Sequence, residues 1–243
     1  ALTAAAANLR RRITLCQEIE DRFNEAVGHQ EYGRVLAFCG DAAGAAAELD
    51  TALAQFTAEK HVQGQGATWA YRAWAALLQG DGRTAQTATQ EALRLADESA
   101  RVTYPNARDY VQAYWLLGWA ALALGDLPAA QSHLDEALRR CRAINLVELE
   151  PAILLAQARL AHAAGQPDSA ATLAEEARLI AHRAGYVLDL ADIHNLLAQL
   201  ALDQSDPAAA RAHAQQARDY AYCDGPPYAY QSALDEAQRL PPP

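Results

Sequence analysis

The sequence predicts an all-α protein built as a right-handed α-solenoid of five helix pairs. Three observations lead to this fold class: many helix-forming alanines, a turn that recurs at nearly constant spacing, and small residues in register in every repeat. Apolar residues make up 51% of the chain, yet no stretch alternates apolar and polar residues as a half-buried strand would. The 243 residues can bury a sizeable core, and we expect one domain over residues 1–243.

The turns fix the repeat length. Each turn is a Gly or Ser followed by a polar residue, and successive turns are 40, 45, 40 and 40 residues apart. Glycine ends helices because it enters the left-handed region cheaply, and aspartate can cap the following helix by accepting its free amide hydrogens. Antiparallel helix pairs of about 40 residues are therefore predicted. The five turns are Gly40-Asp41, Gly80-Asp81, Gly125-Asp126, Gly165-Gln166 and Ser205-Asp206.

Small residues occupy three equivalent positions in all five repeats. With the turn glycine numbered fifteen, positions eight, twenty and twenty-seven are Gly or Ala at all fifteen sites, which indicates close contacts between helices. A larger side chain at any of these sites should overpack the interface and cost about 1–3 kcal/mol. The residues are Gly33, Ala73, Gly118, Ala158 and Ala198 at position eight, Ala45, Ala85, Ala130, Ala170 and Ala210 at position twenty, and Ala52, Ala92, Ala137, Ala177 and Ala217 at position twenty-seven.

The ends and one insertion complete the predicted organisation. Residues 1–19 are expected to form a truncated half repeat, residues 20–222 the five helix pairs, and residues 228–240 a terminal helix that covers the apolar face of the last repeat. Five extra residues fall within 97–109, where Pro105 forces a break, so a longer loop or a kinked helix entry is expected. The chain begins in helical sequence without methionine, and we interpret it as a fragment of a longer protein.

Composition excludes several kinds of partner. The formal net charge of −10 leaves no positive surface for nucleic acid or an anionic membrane. No apolar run approaches the roughly 20 residues of a transmembrane helix. Cys16 and Cys141 occupy the same repeat position, which favours a buried apolar role, and cysteines without metal-site spacing are typical of a reduced, cytoplasmic protein.

Motifs for catalysis are missing from the sequence. There is no phosphate loop, no GxSxG, no HExxH and no CxxC. The seven histidines include no pair at metal-ligand spacing, and His29, His133, His194 and His213 fall at repeat positions that favour structural roles. We therefore expect no catalytic residue, no metal site and no cofactor in this chain.

The spacing of small residues resembles the tetratricopeptide repeat. That family has a small residue at position eight and alanines at positions twenty and twenty-seven. Its aromatic position four is filled by His29, Trp69, Tyr114, Leu154 and His194, so the match is good in the middle of the chain and loose at its ends. The period of 40 exceeds the family's usual length of about 34 residues, which implies helices of roughly four turns or more.

The resemblance implies a ligand-binding groove on the concave side. In the family, the first helix of each pair lines this groove through positions two, five, nine and twelve. Trp115 and Trp119 lie four residues apart and are expected to meet Trp74 of the preceding repeat, with Arg34 and Arg159 on either side. This arrangement suits a peptide or a flat, partly anionic ligand. The candidate groove residues are Arg34, Trp74, Trp115, Trp119, Arg159, Asn195 and Gln199.

The alternative to this groove hypothesis is a purely structural role for the tryptophans. Large aromatic side chains in a repeat with long helices can simply fill the space that alanine leaves, so the tryptophans can be core residues. Trp69, at the aromatic position four, is assigned to the core for that reason.

Two short segments resemble parts of bacterial signal-transduction ATPases with numerous domains (STAND). Residues 14–22, TLCQEIEDR, are similar to the linker between their helix pairs, and residues 223–230, CDGPPYAY, are similar to the closing segment of some of their repeat sensors. This resemblance implies a sensor or autoinhibitory domain that binds a peptide, protein or small-molecule inducer and acts on its own ATPase module in a longer protein. The alternative is a free-standing tetratricopeptide scaffold or adaptor that binds a peptide segment of a partner, although groove positions without lysine disfavour a clamp for a C-terminal carboxylate.

Overall fold

The computed structural model describes residues 2–102 and 105–239, and it confirms the predicted all-α solenoid. Within these residues there are twelve helices and no strand. The helices are α1 (Leu2–Glu18), α2 (Arg22–Phe38), α3 (Ala42–Ala58), α4 (Val62–Leu78), α5 (Gly82–Val102), α6 (Ala107–Ala123), α7 (Leu127–Ala143), α8 (Glu150–Ala163), α9 (Pro167–Ala184), α10 (Val187–Asp203), α11 (Pro207–Tyr222) and α12 (Gln231–Arg239). In this part of the chain no helix combines the length and the apolar character needed to cross a membrane.

Helix pairs are the packing unit. The strongest contacts between elements join α2 with α3, α4 with α5, α6 with α7, α8 with α9, and α10 with α11. The first helices of the pairs, α2, α4, α6, α8 and α10, also contact one another in sequence, whereas each second helix contacts the first helices on either side of it. The first helices therefore form a continuous inner layer, and the second helices form the outer layer.

The predicted turn chemistry is present at the helix ends. Gly40, Gly125 and the equivalent turn residues have positive φ, including Ser205 at +61°. The carboxylate of Asp41 accepts a hydrogen bond from the amide of Gly44 at 2.8 Å, and the aspartates of the second, third and fifth turns cap α5, α7 and α11 in the same way. Gln166 makes no capping hydrogen bond, and α9 begins instead at Pro167.

All fifteen small positions are buried, which explains why they are small. At Gly118 an added Cβ would lie 2.5 Å from Cγ of Leu134 on the paired helix, and at Gly33 it would lie 2.8 Å from Cγ of Leu49. These distances are far inside van der Waals contact, so the two helices can approach only where the side chain is absent.

The insertion between the second and third repeats lengthens a helix and its loop. Helix α5 has 21 residues against 17 in α3, and Pro105 lies outside the helices before Asn106, whose side chain accepts a hydrogen bond from the amide of Arg108 at 3.2 Å. The break expected at Pro105 is thus present, while Thr103 and Tyr104 of the predicted loop lie outside the described residues.

The last helix is shorter than the sequence predicts. It begins at Gln231 instead of residue 228, because the residues before it are held by hydrogen bonds outside the helix: the amide of Tyr230 donates to the carbonyl oxygen of Ala221 at 2.8 Å, and the amide of Tyr228 donates to Oγ1 of Thr3 at 3.4 Å. Leu240 lies outside the described residues. Helix α12 packs on α11 and α10 and buries Ala233, Leu234 and Ala237.

The two ends of the solenoid meet. The carboxylate of Asp224 accepts hydrogen bonds from the amides of Thr3 and Ala4 at 3.1 and 2.9 Å, so it caps the N-terminus of α1 from the other end of the chain. Oγ1 of Thr3 donates to the carbonyl oxygen of Gly225 at 2.8 Å. The ring of Tyr230 packs edge-to-face on Phe38 of α2, with centroids 5.2 Å apart. The array is therefore closed into a ring.

Candidate ligand-binding cavity

Ring closure encloses a cavity of about 550 Å³, called the central cavity below. Residues from all five helices of the inner layer line it, and Leu2 and Ala5 of α1 and Tyr230 complete its wall. Its volume lies within the range of about 300–1,000 Å³ that small-molecule sites usually have. Five of the seven candidate groove residues line it: Arg34, Trp74, Trp115, Trp119 and Arg159.

Three indole rings form one side of this cavity. Trp74 and Trp115, from neighbouring repeats, pack edge-to-face with centroids 4.9 Å apart, and Trp115 and Trp119 are 5.7 Å apart. Trp115 is only 2% exposed and belongs to the largest core cluster, while Trp74 and Trp119 are half-buried. Trp115 thus serves the core and the cavity wall, so both sequence interpretations describe part of its role.

Two buried donors face no acceptor among the described residues. They are Nε1 of Trp115 and Nε of Arg34, and both residues line the central cavity. Leaving a buried N–H without an acceptor costs about 1–3 kcal/mol, and both atoms are buried in the cavity wall rather than exposed to its interior.

The arginines of the cavity are paired with carboxylates. Arg34 contacts Glu31 at 2.6 Å, Arg108 contacts Glu148 at 2.8 Å, and Arg159 contacts Glu236 at 3.1 Å. The sequence predicted two cationic ends for the tryptophan cluster. The positions of Arg34 and Arg159 agree with that prediction, but their charges are already neutralised by neighbours that the motif did not include.

The opposite side of the cavity is acidic. Asp189 and Asp192 lie one turn apart at the start of α10, and the hydroxyl of Tyr230 donates to Oδ2 of Asp192 at 2.8 Å. Burial, together with the nearby Asp192, raises the pKa of Asp189 to about 7. Burial also raises the pKa of Asp192 to about 6, although Arg159 at 4.0 Å works against this rise.

Asn195 and Gln199 do not line the cavity. Asn195 is fully buried, and its side-chain amide donates to the carbonyl oxygen of Ala233 at 2.9 Å. The side-chain amide of Gln199 donates to Asp203 at 2.9 Å. The prediction placed both in the groove because they hold positions five and nine, but in the last repeat α12 covers the surface that the next helix pair would otherwise use.

Trp69 lies outside the central cavity. It is half-buried, packs against the core cluster and stacks on the guanidinium of Arg72 at 4.6 Å, in a cleft beside Asp50. This placement agrees with its assignment to the core.

The histidine pair of the last repeat is structural in its surroundings. Nδ1 of His194 lies 3.0 Å from Nδ1 of His213, and the ring of His194 stacks on Tyr220. Burial and the neighbouring His213 lower the pKa of His194 to about 4. Among the described residues no group of three or more His, Cys, Asp or Glu side chains could hold a metal ion.

Several cavity residues were missed in the sequence. Asp192 holds position two, which is a groove position, so the repeat numbering alone could have found it. Asp189, Arg108 and Glu148 precede position one of their repeats, at the beginnings of the first helices, where the groove pattern gives no signal. Tyr230 enters the cavity only because the chain closes on itself.

Family comparison agrees with this geometry. The tetratricopeptide repeat family matches residues 111–142 and 151–176, which cover α6 and α7, then α8 and the first part of α9. The first matched range contains the contact between Gly118 and Leu134 described above. Over these two ranges the chain matches the tetratricopeptide repeat, in the middle of the array.

Solved structures with the same kind of fold extend this agreement over nearly the whole array. Aspartyl phosphate phosphatase F from Bacillus subtilis is 13% identical, with a TM-score of 0.61 over 93% of this chain and 58% of that one. BtubC (BKLC) from P. vanneervenii is 15% identical, with a TM-score of 0.51 over 98% of this chain and 90% of that one. At these identities the likeness concerns the fold alone, and the chain spans little more than half of the phosphatase. No curated protein matches the sequence.

Proposed function

We propose that this tetratricopeptide array is the sensor domain of a STAND-type signalling ATPase, where it binds an inducer in the central cavity and contributes to autoinhibition. The observation that carries the proposal is the central cavity, which is lined by all five helices of the inner layer and by both ends of the chain, with three indole rings on one side. Its volume lies within the range usual for small-molecule sites.

The size of the cavity supports a small inducer. Leu2 and Tyr230 from the two ends of the chain complete its wall. A small molecule or a very short peptide fits this volume. Closure by residues 223–230 also agrees with their resemblance to the closing segment of STAND sensors.

Binding from a cell extract tests the proposal. The purified array is incubated with a small-molecule extract, washed, and examined by native mass spectrometry for bound mass. We expect the wild-type chain to retain a ligand and the Trp119→Ala variant to lose it while its circular dichroism stays helical. Trp69→Ala is the matched control, because Trp69 is also half-buried but lies outside the cavity. Equal retention by Trp119→Ala and the wild type would contradict cavity binding.

A free-standing scaffold that binds a peptide segment of a partner is the second candidate, and the fold shared with other tetratricopeptide arrays is equally consistent with it. The coding sequence upstream of Ala1 separates the two. A phosphate-loop module there supports the sensor, whereas a stop codon immediately before Ala1 contradicts it.

A further inference from the structure

The charge balance of the central cavity is negative. Four carboxylates line it, from Glu31, Glu148, Asp189 and Asp192, against the three guanidinium groups of Arg34, Arg108 and Arg159. Glu236 adds a further carboxylate through its contact with Arg159. An anionic ligand would have to displace one of these internal partners, so the surroundings favour a ligand of the opposite charge.

Asp189 is the carboxylate without a partner. Among the described residues no hydrogen bond or ion pair reaches it, whereas Asp192 accepts from Tyr230 and lies 4.0 Å from Arg159. Asp189 is half-buried, faces the cavity and has a like charge one helical turn away. A cation placed beside it would relieve both the burial of its charge and the repulsion from Asp192.

The indole rings of the cavity also favour a cationic ligand. The faces of tryptophan rings attract cations within about 6 Å. The guanidinium of Arg34 already occupies such positions over Tyr71 and Trp74, at 5.1 and 6.0 Å. Trp119 lines the cavity, and among the described residues its ring packs only on the ring of Trp115. The ring of Trp119 is therefore the indole surface that a ligand can contact.

We infer that the central cavity takes a small, flat ligand with one protonated amine or amidinium group, which Asp189 binds. This inference rests on the proposed function, since it names the chemical class of the inducer that the cavity would hold. It also replaces the partly anionic ligand that the arginine positions suggested in the sequence.

Three probes with the same phenol ring and side-chain length test the charge of the ligand. Tyramine carries an ammonium group, tyrosol a neutral hydroxyl, and 3-(4-hydroxyphenyl)propionate a carboxylate. Isothermal titration of the 243-residue chain should give an affinity for tyramine that exceeds those for the other two by about tenfold or more, as a charge-assisted hydrogen bond allows. In Asp189→Asn the preference for tyramine should disappear.

Asp168→Asn provides the matched control, because Asp168 lies in the first turn of α9 as Asp189 lies in the first turn of α10, but it is exposed and does not line the cavity. This variant should keep the preference for tyramine. If tyrosol or the propionate binds as tightly as tyramine, the charge assignment is wrong and the cavity remains a binding site. A neutral or anionic ligand recovered from the cell extract overturns the inference in the same way. If no probe binds and the extract yields no ligand, the proposed function fails with it.

Discussion

Gly118 and Leu134 form a packing pair whose energetics follow from one distance. A Cβ added at Gly118 would lie 2.5 Å from Cγ of Leu134 and 3.2 Å from its backbone nitrogen. Replacing glycine with alanine in a helix gains about 1 kcal/mol of intrinsic propensity, but overpacking costs about 1–3 kcal/mol. Because the clash involves a fully buried leucine, we expect Gly118→Ala to lower the free energy of unfolding by about 1–2 kcal/mol.

The other repeats show how the clash can be relieved. Where position eight is alanine, position twenty-four is smaller than leucine: Ala73 goes with Thr89, Ala158 goes with Ala174, and Ala198 packs with Ala214. Leu134→Ala alone should cost about 2–5 kcal/mol. The double variant recreates the alanine pair, so its loss should be smaller than the sum of the two single losses by about 1–3 kcal/mol.

Urea denaturation followed by circular dichroism gives the four free energies of this cycle. Gly66→Ala serves as the control, because its Cβ would come no closer than 3.3 Å to Leu95. This variant should not be destabilised, since the gain of about 1 kcal/mol in helix propensity offsets the tighter contact. Additive losses in the cycle would refute the idea that residue volume is matched between positions eight and twenty-four.

Three further predictions concern the closing segment and the buried titratable groups. Asp224→Ala removes the acceptor for the amides at the start of α1, so hydrogen exchange there should become about fivefold faster, while Asp206→Ala should affect α11 instead. The pKa of His194 is lowered to about 4 in the folded chain, so its contribution to the free energy of unfolding is complete above pH 6.5 and is lost as the pH falls. Unfolding titrations should show that the free energy of unfolding drops by about 2 kcal/mol between pH 7 and 5. In His194→Phe this drop should be smaller. Asp189 has the opposite pH dependence, because its pKa is raised to about 7 in the folded chain. Its contribution to the free energy of unfolding is present below pH 3.8 and lost by pH 8. Between pH 5 and 8 Asp189→Asn should therefore remove a decline of about 1–2 kcal/mol, allowing for solvent screening, and an unchanged pH profile would contradict the buried position of this carboxylate.

The fold was predictable because the same weak local pattern occurs at equivalent positions in all five repeats. One glycine at a turn or one alanine in a helix carries little information, but the same residue at five equivalent positions reflects one packing constraint. The cavity was predictable to the extent that it follows the repeat. Position nine lines it in the first four repeats through Arg34, Trp74, Trp119 and Arg159, and fails only at Gln199, where the array ends.

What the sequence could not predict depends on the curvature of the whole array. The contact between Thr3 and Asp224, and the pairing of Arg159 with Glu236, join residues 221 and 77 positions apart. They form only because the small rotation at each repeat adds up to a closed ring, and no local pattern specifies that sum. Glu236 reaches Arg159 from the terminal helix, and Asp189 precedes position one of its repeat, so the sequence prediction named the cationic residues of the cavity and missed these carboxylates.

Closure of the ring and the chemistry of the cavity are joined through Tyr230. Its ring packs on Phe38 at one end of the array, and its hydroxyl binds Asp192 beside Asp189 in the cavity wall. The residues just before it hold α1 through Asp224 and Gly225. A change in charge beside Asp189 therefore lies close to the carboxylate of Asp192, which is hydrogen-bonded to Tyr230, the residue that contacts both ends of the array. Tyr230 thus contacts both the first repeat and the acidic wall of the cavity, so the closure of the ring and the surroundings of Asp189 share one side chain.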